Sequence, residues 1–344
     1  MKVLLITDQH FGVRNDNIHF IEHYKKFYGK IVVPFIKASG IDTVLCLGDT
    51  FDKRRSINFM SLEAAKDMWF TPLEEMGVKM HMLVGNHDIY YKNTLRVNAP
   101  SELLGEYDNI TVYTEPTTAT FDNLHILLLP WICDENRDES LRAVTESSAP
   151  VAMGHLEFNG FEAHPGHMME NGMDHSIFRK FKKVFSGHYH MKSNRDNVYY
   201  LGNPYQLYWN DYGQKRGFHV FDTETLRTTF YRNPFDTFHK LYYNNGVVLP
   251  NEEEVKGTFV KLIVEDKGDY TKFDYFVRQL QDIGLADLKI VEDLSVDIEG
   301  GDVVVETEDT ITLLDNYIDD IDLKVDKSNV KNIMRSLYME ASEL

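Results

Sequence analysis

The chain has 344 residues, of which 43% are hydrophobic and 26% are charged, and its formal net charge is −18. This length suggests about two domains. No apolar run approaches the roughly 18 residues of a membrane span, so the composition is typical of a soluble globular protein and implies no membrane. The acidic sum argues against binding of nucleic acid over the whole surface, although "DKRRS" at 52–56 and "FRKFKKVF" at 178–185 are basic.

The amino-terminal residues and the cysteines predict a cytoplasmic protein. Met1 and Lys2 lead directly into "VLLITDQH", whose apolar stretch is too short for a signal peptide and has no cleavage site. Cys46 and Cys133 lack the paired spacing of a zinc site, and Cys46 lies in an apolar run where a buried thiol is expected.

From residue 1 to about 245, short aliphatic runs that end in polar residues recur along the chain. In order, they are "KVLLITDQH", "DTVLCLGDTFD", "VKMHMLVGNHD", "LHILLLPW", "APVAMGHLE" and "KKVFSGHYH". Such runs fit strands buried on both faces, and helical stretches such as "INFMSLEAAKDMWFTPLEEMG" lie between them. This alternation predicts α/β layering. "VYYLGN", "RGFHVFDT" and "TTFYRN" then predict strands of a more antiparallel part.

The remaining sequence predicts a small unit and a tail. "LPNEEEVKG" at 249–257 reads as a linker, and the sequence from about 257 to 298 reads as strand, helix, strand. In the tail, Ile311, Leu314, Ile318 and Ile321 share one helical face, and "SNVKNIMRSLYMEA" repeats the pattern with Ser328 as N-cap. These helices either pack on their own domain or dock another protein.

Side chains that can bind metal cluster where five of the aliphatic runs end. They are Asp8 and His10 in "TDQH", Asp49 in "GDTFD", Asn86, His87 and Asp88 in "GNHD", His155 in "GHLE", and His188 and His190 in "GHYH". Because ligands gather at the carboxyl ends of strands in open α/β sheets, we expect these side chains to meet in space.

His188 and His190 stand two residues apart, immediately after Gly187. In extended backbone, side chains two apart point to the same side, so the two imidazoles are expected to face one spot. Two histidines in a surface turn are usually just solvated, and the metal interpretation therefore depends on the other strand ends.

Imidazole, carboxylate and amide ligands together suit divalent transition ions such as Mn²⁺, Zn²⁺ or Fe²⁺, whereas a magnesium or calcium site would be almost all oxygen. These groups are more than one ion takes. The sequence therefore predicts two ions, about 3.5–4 Å apart, that share a carboxylate. Such a pair acidifies a water and orients a phosphate oxygen, which predicts hydrolysis of a phosphoester.

In order and spacing, "DQH" at 8–10, "GDTFD" at 48–52, "GNHD" at 85–88, "GH" at 154–155 and "GHYH" at 187–190 resemble the motif set of calcineurin-like metallophosphoesterases. Within that family, the "GNHD" ending and the long tail resemble the SbcD-type DNA nucleases, which work with an SMC-like, ABC-type ATPase in double-strand-break repair and recombination. The length and the acidic tail are most similar to the recombination nucleases of T-even bacteriophages. The resemblance implies a two-sheet α/β sandwich flanked by helices, a small α+β capping domain and C-terminal helices.

The resemblance also implies roles for the strand-end residues. One metal would be held by Asp8, His10, Asp49 and His190, and the other by Asp49, Asn86, His155 and His188. Two divalent ions are implied, with Mn²⁺ favoured. His87 matches the catalytic histidine of the family, and Asp88 is its natural orienting partner. Some relatives carry a histidine where this chain has Asp52, so a role in guiding the DNA strand does not follow there, and Asp52 is interpreted as bracing its loop.

Three segments follow from the resemblance: a nuclease domain at 1–248, a capping domain at 249–300, and an acidic linker with a helical ATPase-docking segment at 301–344. The candidate contacts to the ATPase are Ile311, Leu314, Ile318, Ile333 and Leu337. Arg54, Arg55 and Lys182 are candidate phosphate contacts. A homodimer is implied as well, and no membrane partner is expected.

The predicted function is a Mn²⁺-dependent DNA exonuclease or endonuclease that acts on single- or double-stranded ends. One alternative is a phosphatase or small-molecule phosphodiesterase of the same fold. The phosphoprotein branch, however, continues "GD" with Asp-Arg-Gly and ends its third motif in Glu, whereas this chain has "GDTFDKRR" and "GNHD". The other alternative is a scaffolding subunit that binds DNA ends, and a metal content below one equivalent would favour it.

Overall fold

The structure is a computed structural model that describes residues 1–164, 166–244 and 247–292, together with Ile318, Lys327, Val330, Lys331, Ile333 and Met334. The chain divides into two units. The first comprises Met1–His239, Pro250–Val260 and Asp282–Asp287, and the second comprises Lys240–Leu249, Lys261–Gln281 and the described residues from Leu288 onward. The chain passes between the units more than once, and the domain boundaries expected after residues 248 and 300 stay predictions.

The strands of the described residues follow in chain order. They begin with β1 Lys2–Ile6, β2 Thr43–Cys46, β3 Lys79–Leu83, β4 Ile110–Tyr113, β5 Thr117–Phe121, β6 Leu124–Leu129, β7 Val151–His155, β8 Glu162–His164 and β9 His167–Met168. They continue with β10 Lys183–Gly187, β11 Ser193–Arg195, β12 Val198–Tyr200, β13 Gly217–Asp222, β14 Thr228–Arg232, β15 Phe238–Tyr243, β16 Phe259–Val264 and β17 Asp287–Glu292.

Two six-stranded sheets form the first unit. One has the order β14-β13-β1-β2-β3-β4, and the other has the order β11-β12-β10-β7-β6-β5. The strands β1 to β4 are parallel to one another, as are β6, β7, β10 and β12, while β13, β14, β5 and β11 pair antiparallel. The central strands of both sheets are therefore parallel, and antiparallel strands lie toward the edges.

Alternating side chains on the central strands build separate cores on the two faces of each sheet. Between the sheets, Val3 and Leu45 pack in one cluster with Ile126, Met153 and Phe185. The outer face of the first sheet packs against helices through a second cluster that includes Leu4, Val44, Phe27 and Trp69. A third cluster, which includes Leu127, Val144, Phe178 and Val184, covers the outer face of the second sheet. The predicted α/β sandwich flanked by helices is confirmed.

The helices of the described residues are α1 Val13–Asp16, α2 Ile18–Phe27, α3 Val33–Ser39, α4 Phe59–Ala65, α5 Thr71–Glu75, α6 Ala99–Leu103, α7 Arg137–Glu146, α8 Glu252–Val255 and α9 Tyr270–Asp282. A π turn at Tyr28–Val32 joins α2 to α3, and another at Lys66–Phe70 joins α4 to α5. In both cases the next helix has a proline in its first turn, Pro34 and Pro72. Because proline cannot donate to the preceding turn, the wider π turn lets each helix continue past it.

The second unit contains most of a three-stranded sheet with the order β15-β16-β17, together with α9. The helix buries Phe273, Phe276 and Leu280, which lie on one face, and Tyr243 packs edge-on against Phe273. The predicted strand, helix, strand order of this region is confirmed. None of the helices that the structure describes combines the length and apolar character that a bilayer crossing needs.

His23 makes the stability of the fold sensitive to acid. Its side chain is buried next to Thr237 Oγ1, and burial, with a smaller contribution from the charge of Lys26, lowers the pKa of His23 to about 4. The folded protein therefore resists protonation of a group that the unfolded chain protonates below about pH 6.5. The part of the unfolding free energy that depends on neutral His23 is fully present above that pH. It is lost as the pH falls toward 4, by about 3 kcal/mol in total.

Between pH 7 and pH 5, the unfolding free energy of the unsubstituted chain should fall. We expect this fall to be about 2 kcal/mol smaller in His23→Gln, because glutamine takes up no proton. Urea denaturation of both proteins at the two pH values, with EDTA present throughout, measures this difference. The same loss in both proteins would show that His23 does not carry the acid sensitivity.

Candidate metal centre

All of the predicted metal ligands lie at the carboxyl ends of adjacent central strands. Asp8 and His10 follow β1, Asp49 follows β2, Asn86 follows β3, His155 ends β7, and His188 and His190 follow β10. The two sheets meet at this end, since the backbone N–H of His188 donates to the Asp8 carboxylate at 3.1 Å, and His155 Nδ1 lies 2.7 Å from Leu47 O. The structure thus brings together side chains from both sheets.

The first group of candidate ligands consists of Asp8, His10 and His190. Their ligand atoms lie within 4.8 Å of one another, and Nε2 of His10 is 3.0 Å from Nε2 of His190. Two imidazole nitrogens at this distance share a single proton or both face a cation. The convergence of these nitrogens on a buried carboxylate is the arrangement that a divalent ion requires.

The second group consists of Asp49, His155 and His188, with Asn86 beside it. Asn86 Oδ1 lies 3.0 Å from His155 Nε2 and 2.9 Å from His188 Nδ1. Because His155 Nδ1 faces the carbonyl of Leu47, it donates its proton there and leaves Nε2 to face the centre. This is the tautomer that a metal-binding histidine needs.

Asp49 lies between the two groups. Its Oδ2 atom is 3.2 Å from His155 Nε2 and 3.8 Å from His10 Nε2, while Oδ1 accepts the backbone N–H of His87 at 2.8 Å. One carboxylate therefore faces ligands of both groups, as a bridging residue must.

His188 and His190 do not face one spot, in contrast to the expectation from their spacing. His188 has a φ of 87°, so the backbone leaves the extended conformation directly after β10 and the alternation of side chains is broken. His188 joins Asn86 and His155, and His190 joins His10. The two-residue spacing thus serves two adjacent groups rather than one.

Other backbone positions at the centre are also in the left-handed region. Asp8, His10 and Asp49 have φ values of 51°, 46° and 50°. Non-glycine residues adopt this region rarely, and such strain concentrates at functional sites. At Gly85, a Cβ atom would collide with the Asp49 carboxylate and backbone, so this close approach requires glycine.

The two buried carboxylates have opposite pKa shifts. Burial and the charge of Asp49 raise the pKa of Asp8, despite the nearby imidazoles. The pKa of Asp49 is held well below its usual range, because the charges of His155, His87 and His10 outweigh its burial. Two carboxylates this deeply buried require positive charge beside them.

The pKa values of the imidazoles are also shifted in opposite directions. Burial alone would lower the pKa of His10 and His155, but the adjacent aspartates overcome it and raise both values to about 9. Burial and the charge of His155 lower the pKa of His188 to about 3. The carboxylates of Asp8 and Asp49 thus favour protons on the imidazoles of His10 and His155. Divalent cations would replace those protons, and the mixed nitrogen and oxygen donors fit them.

A third cluster joins His10 and His87 to Asp52. Asp52 Oδ1 lies 3.2 Å from His10 Nδ1, and His87 Nδ1 lies 2.7 Å from the Asp52 carbonyl oxygen. Since a carbonyl only accepts, His87 donates its Nδ1 proton, which leaves Nε2 for a substrate. The ring centroids of His10 and His87 are 4.8 Å apart, so this free nitrogen belongs to the same centre.

Asp88 does not orient the His87 ring, in contrast to the sequence-based expectation. Its buried carboxylate turns away and accepts three backbone N–H groups, those of Thr50 and Phe51 at Oδ1 and that of Gly85 at Oδ2. Asp88 therefore fastens the loop after β2 to the loop after β3, and the carbonyl of Asp52 orients His87 instead.

We expect Asp88→Ala to lower the unfolding free energy by at least about 2 kcal/mol, because it leaves three buried donors without their acceptor. Burial raises the pKa of Asp88 to about 6, so denaturant unfolding at pH 8 compares the ionised carboxylate with alanine. Asp138→Ala, at an exposed position of α7, is the matched control. Equal stability of the two variants would contradict the fastening role.

The candidate phosphate contacts are not all beside the centre. Arg54 Nε donates to Asn86 O at 2.9 Å, and the Arg55 guanidinium lies 5.6 Å from the centroid of the Tyr90 ring. Lys182 precedes β10 at its amino end, about 20 Å from His188 by the rise of a strand. The basic stretch at 52–56 therefore borders the centre, and the exposed Lys182 does not.

The candidate ATPase contacts fall mostly outside the described residues. Ile311, Leu314 and Leu337 are among those that the structure does not describe. Ile318 is buried, and Ile333 is 59% exposed. Ile318 is therefore covered by its own chain, whereas Ile333 is accessible.

Three residues at the centre were not anticipated from the sequence. The Thr7 hydroxyl donates to Asp8 Oδ2 at 2.8 Å, the Trp131 ring lies 5.0 Å from the His188 ring, and Arg216 donates to the carbonyl of His190 and pairs with Asp211. Trp131 follows β6, so the rule of strand ends could have found it. Nothing in the sequence around Arg216 marks it.

Comparisons with known proteins place the chain in a family. The family model of calcineurin-like phosphoesterases matches residues 1–192. Over 346 residues, and 100% of both chains, the protein is 34% identical to "Exonuclease subunit 1" of Enterobacteria phage T4.

Solved structures give more distant likenesses. A novel archaeal phosphodiesterase has a TM-score of 0.35 and 12% identity, covering 68% of this chain and 100% of its own. A protein of unknown function from Aquifex aeolicus has a TM-score of 0.27 and 16% identity, covering 45% of this chain and 77% of its own. Both are too distant to support an argument.

Proposed function

The chain belongs to the calcineurin-like phosphoesterase family, and from this premise we propose that it is a metal-dependent nuclease that hydrolyses phosphodiester bonds of DNA. The observation that carries the proposal is the pair of ligand groups that share Asp49, with His87 beside them. The T4 relative, which this chain matches over its whole length, is named an exonuclease subunit. That name supports DNA as the substrate.

In this proposal, Asp8, His10, Asp49 and His190 hold one divalent ion, and Asp49, Asn86, His155 and His188 hold the other. Mn²⁺ fits the mixed nitrogen and oxygen donors. The two ions, when bound, acidify a water and neutralise charge on the phosphate oxygens. The backbone N–H of His188 and the hydroxyl of Thr7 hold Asp8 in place. Arg54 holds Asn86 by donating a hydrogen bond to its backbone carbonyl.

His87 is the acid that completes the reaction. The Asp52 carbonyl fixes the ring through the Nδ1 proton, so Nε2 is the nitrogen left for the substrate, and in the imidazolium form of His87 it carries the second proton, which His87 can give up. From there His87 donates a hydrogen bond to the phosphate as negative charge develops, or protonates the leaving 3′ or 5′ oxygen.

We also propose that the protein works in the host cytoplasm as a homodimer with an SMC-like ABC-type ATPase, in double-strand-break repair and recombination. Support comes from the word "subunit" in the name of the T4 relative, which matches the full length of this chain. The tail at 301–344 is the proposed ATPase-docking segment. Copurification of the ATPase with the full chain, and not with a chain ending at residue 304, tests this role.

The substrate is tested by comparing linear single- and double-stranded DNA with p-nitrophenyl phosphate diesters and monoesters, each with Mn²⁺, Mg²⁺ or EDTA. The proposal expects metal-dependent cleavage of DNA and of the diester. Rapid hydrolysis of monoesters with no cleavage of DNA would instead identify a phosphatase.

A further inference from the structure

Two adjacent tyrosines are exposed in the loop that leaves the metal centre. The side chains of Tyr90 and Tyr91 are 39% and 48% exposed, and their rings pack edge to face with centroids 4.7 Å apart. Tyrosines that occupy solvent rather than a core lose the benefit of burial, so an exposed ordered pair is a candidate binding surface.

The loop that carries these rings is held in place at both ends. Ile89 forms a bridge with Asn98, Tyr90 donates its backbone N–H to Val97 O at 3.0 Å, and Ala99 donates to Asp88 O at 2.8 Å. The tyrosine pair therefore has a fixed position relative to the centre.

The pair also lies close to His87. Tyr90 and Tyr91 follow His87 by three and four residues, so their Cα atoms are at most about 11 and 14 Å from that of His87. The neighbouring loop makes the same connection, because Asp52 contacts His87, Arg54 contacts Asn86, and Arg55 lies over the Tyr90 ring.

The arrangement of the two rings leaves at least one face of the Tyr91 ring uncovered by Tyr90. In an edge-to-face pair, one ring presents its edge and the other its face, so Tyr90 covers at most one face of Tyr91. Arg55 supports Tyr90 from its own loop. Tyr91 is the more exposed ring of the pair, and it is backed by Tyr90, which Arg55 contacts in turn.

We propose that Tyr91, backed by Tyr90 and Arg55, is a stacking site for one unpaired base of the DNA strand whose phosphate lies at the metal centre. The proposal rests on the proposed nuclease function and deepens it. A π face beside a cation is how proteins bind single-stranded nucleic acid without regard to sequence. The basic stretch at 52–56 gives this border of an otherwise acidic chain the charge that a phosphate backbone requires.

A stacked base has a consequence for the substrate. A base inside the duplex must leave its stack before it can stack on Tyr91, so the site selects strands that are already single or have frayed at an end. The enzyme would then cleave unpaired ends faster than fully paired ones.

The test is binding of a short single-stranded oligonucleotide to the full chain in a His87→Gln background with Mn²⁺, so that the bound strand is not cut. In one series of oligonucleotides, each base in turn is replaced by an abasic site. With Tyr91 present, we expect one abasic position to weaken binding about 10-fold, the value of one stacked base. Tyr91→Ala should weaken binding of the intact strand to a similar extent and should remove the sensitivity at that position.

The conservative variant and a matched control separate stacking from other causes. Tyr91→Phe keeps the ring and should bind within about twofold of the parent. Tyr242→Ala removes a tyrosine that is equally exposed, at 49%, but lies in the other unit, and should have no effect. Thermal unfolding confirms that each variant is folded.

The proposal is overturned if Tyr91→Ala binds as tightly as the parent, or if it weakens every oligonucleotide of the abasic series equally. Either result, with DNA cleavage by the unsubstituted chain intact, removes the stacking site and leaves the nuclease standing. If the unsubstituted chain hydrolyses a p-nitrophenyl phosphate diester but neither binds nor cleaves DNA, both proposals fail.

Discussion

Asp49→Ala will remove both metal ions and lower the rate of DNA hydrolysis by about 10³-fold or more. Asp49 Oδ2 lies 3.2 Å from His155 Nε2 and 3.8 Å from His10 Nε2, so this single carboxylate serves both ligand groups. Its loss deprives each ion of a charged ligand. The ions supply several kcal/mol of charge stabilisation, and about 1.4 kcal/mol corresponds to a tenfold change in rate.

Titration calorimetry with Mn²⁺ and the hydrolysis rate measure the two effects on the same samples. Asp138→Ala, which truncates an exposed aspartate of α7, should keep both ions and the full rate. If Asp49→Ala keeps one ion at its original affinity, Asp49 belongs to one group only and does not bridge.

His87→Ala will lower the rate of DNA hydrolysis by about 10²- to 10⁴-fold, the usual contribution of a positioned acid or base, and will leave metal binding intact. The rate and the metal binding should respond differently because His87 contacts the ligand Asp49 only through its backbone. His87 contacts Asp49 through its main-chain N–H, at 2.8 Å, and alanine keeps that donor. The side chain instead contacts the Asp52 carbonyl and packs edge-on against the His10 ring, and it is in neither of the two groups that share Asp49.

His125→Ala is the control, because it truncates an exposed histidine that pairs only with Thr120 among the contacts described for it. It should retain both the rate and the Mn²⁺ affinity. A parallel loss of metal and rate in His87→Ala would place His87 among the metal ligands rather than at the substrate.

Much of the fold was predictable because burial on two faces leaves a clear pattern. The runs that contain Leu4 and Val44 are almost wholly apolar, as strands between two layers must be, and each became a parallel strand. The division of the chain into units was less predictable. A strand such as β16 runs from Phe259 in the first unit to Val264 in the second, and no turn or linker signal marks the change.

The membership of the site was predictable, and its pairing was less so. The strand-end rule located Asp8, Asp49 and His155 from separate parts of the chain. It could not assign His188 and His190 to different groups, because that depends on a left-handed residue directly after β10. A histidine at such a φ is set by the surrounding contacts, including its N–H bond to Asp8, and not by local propensity.

The roles of Asp88 and Asp52 show the same limit. Adjacency in the chain suggested that Asp88 would orient His87, yet three backbone donors from two loops compete for its carboxylate and hold it. Asp52, which is distant in sequence, supplies the carbonyl for His87 and the carboxylate for His10. Which acceptor a buried donor finds is decided by how the loops pack.

Two divalent ions that share Asp49 would make this chain a DNA nuclease. The most direct test is the rate of hydrolysis of linear DNA as metal-free protein is titrated with Mn²⁺, with bound metal counted at each point. We expect the rate to rise until two equivalents are bound per chain and to vanish in EDTA. Full activity at one equivalent, or cleavage that persists in EDTA, would contradict the two-ion account.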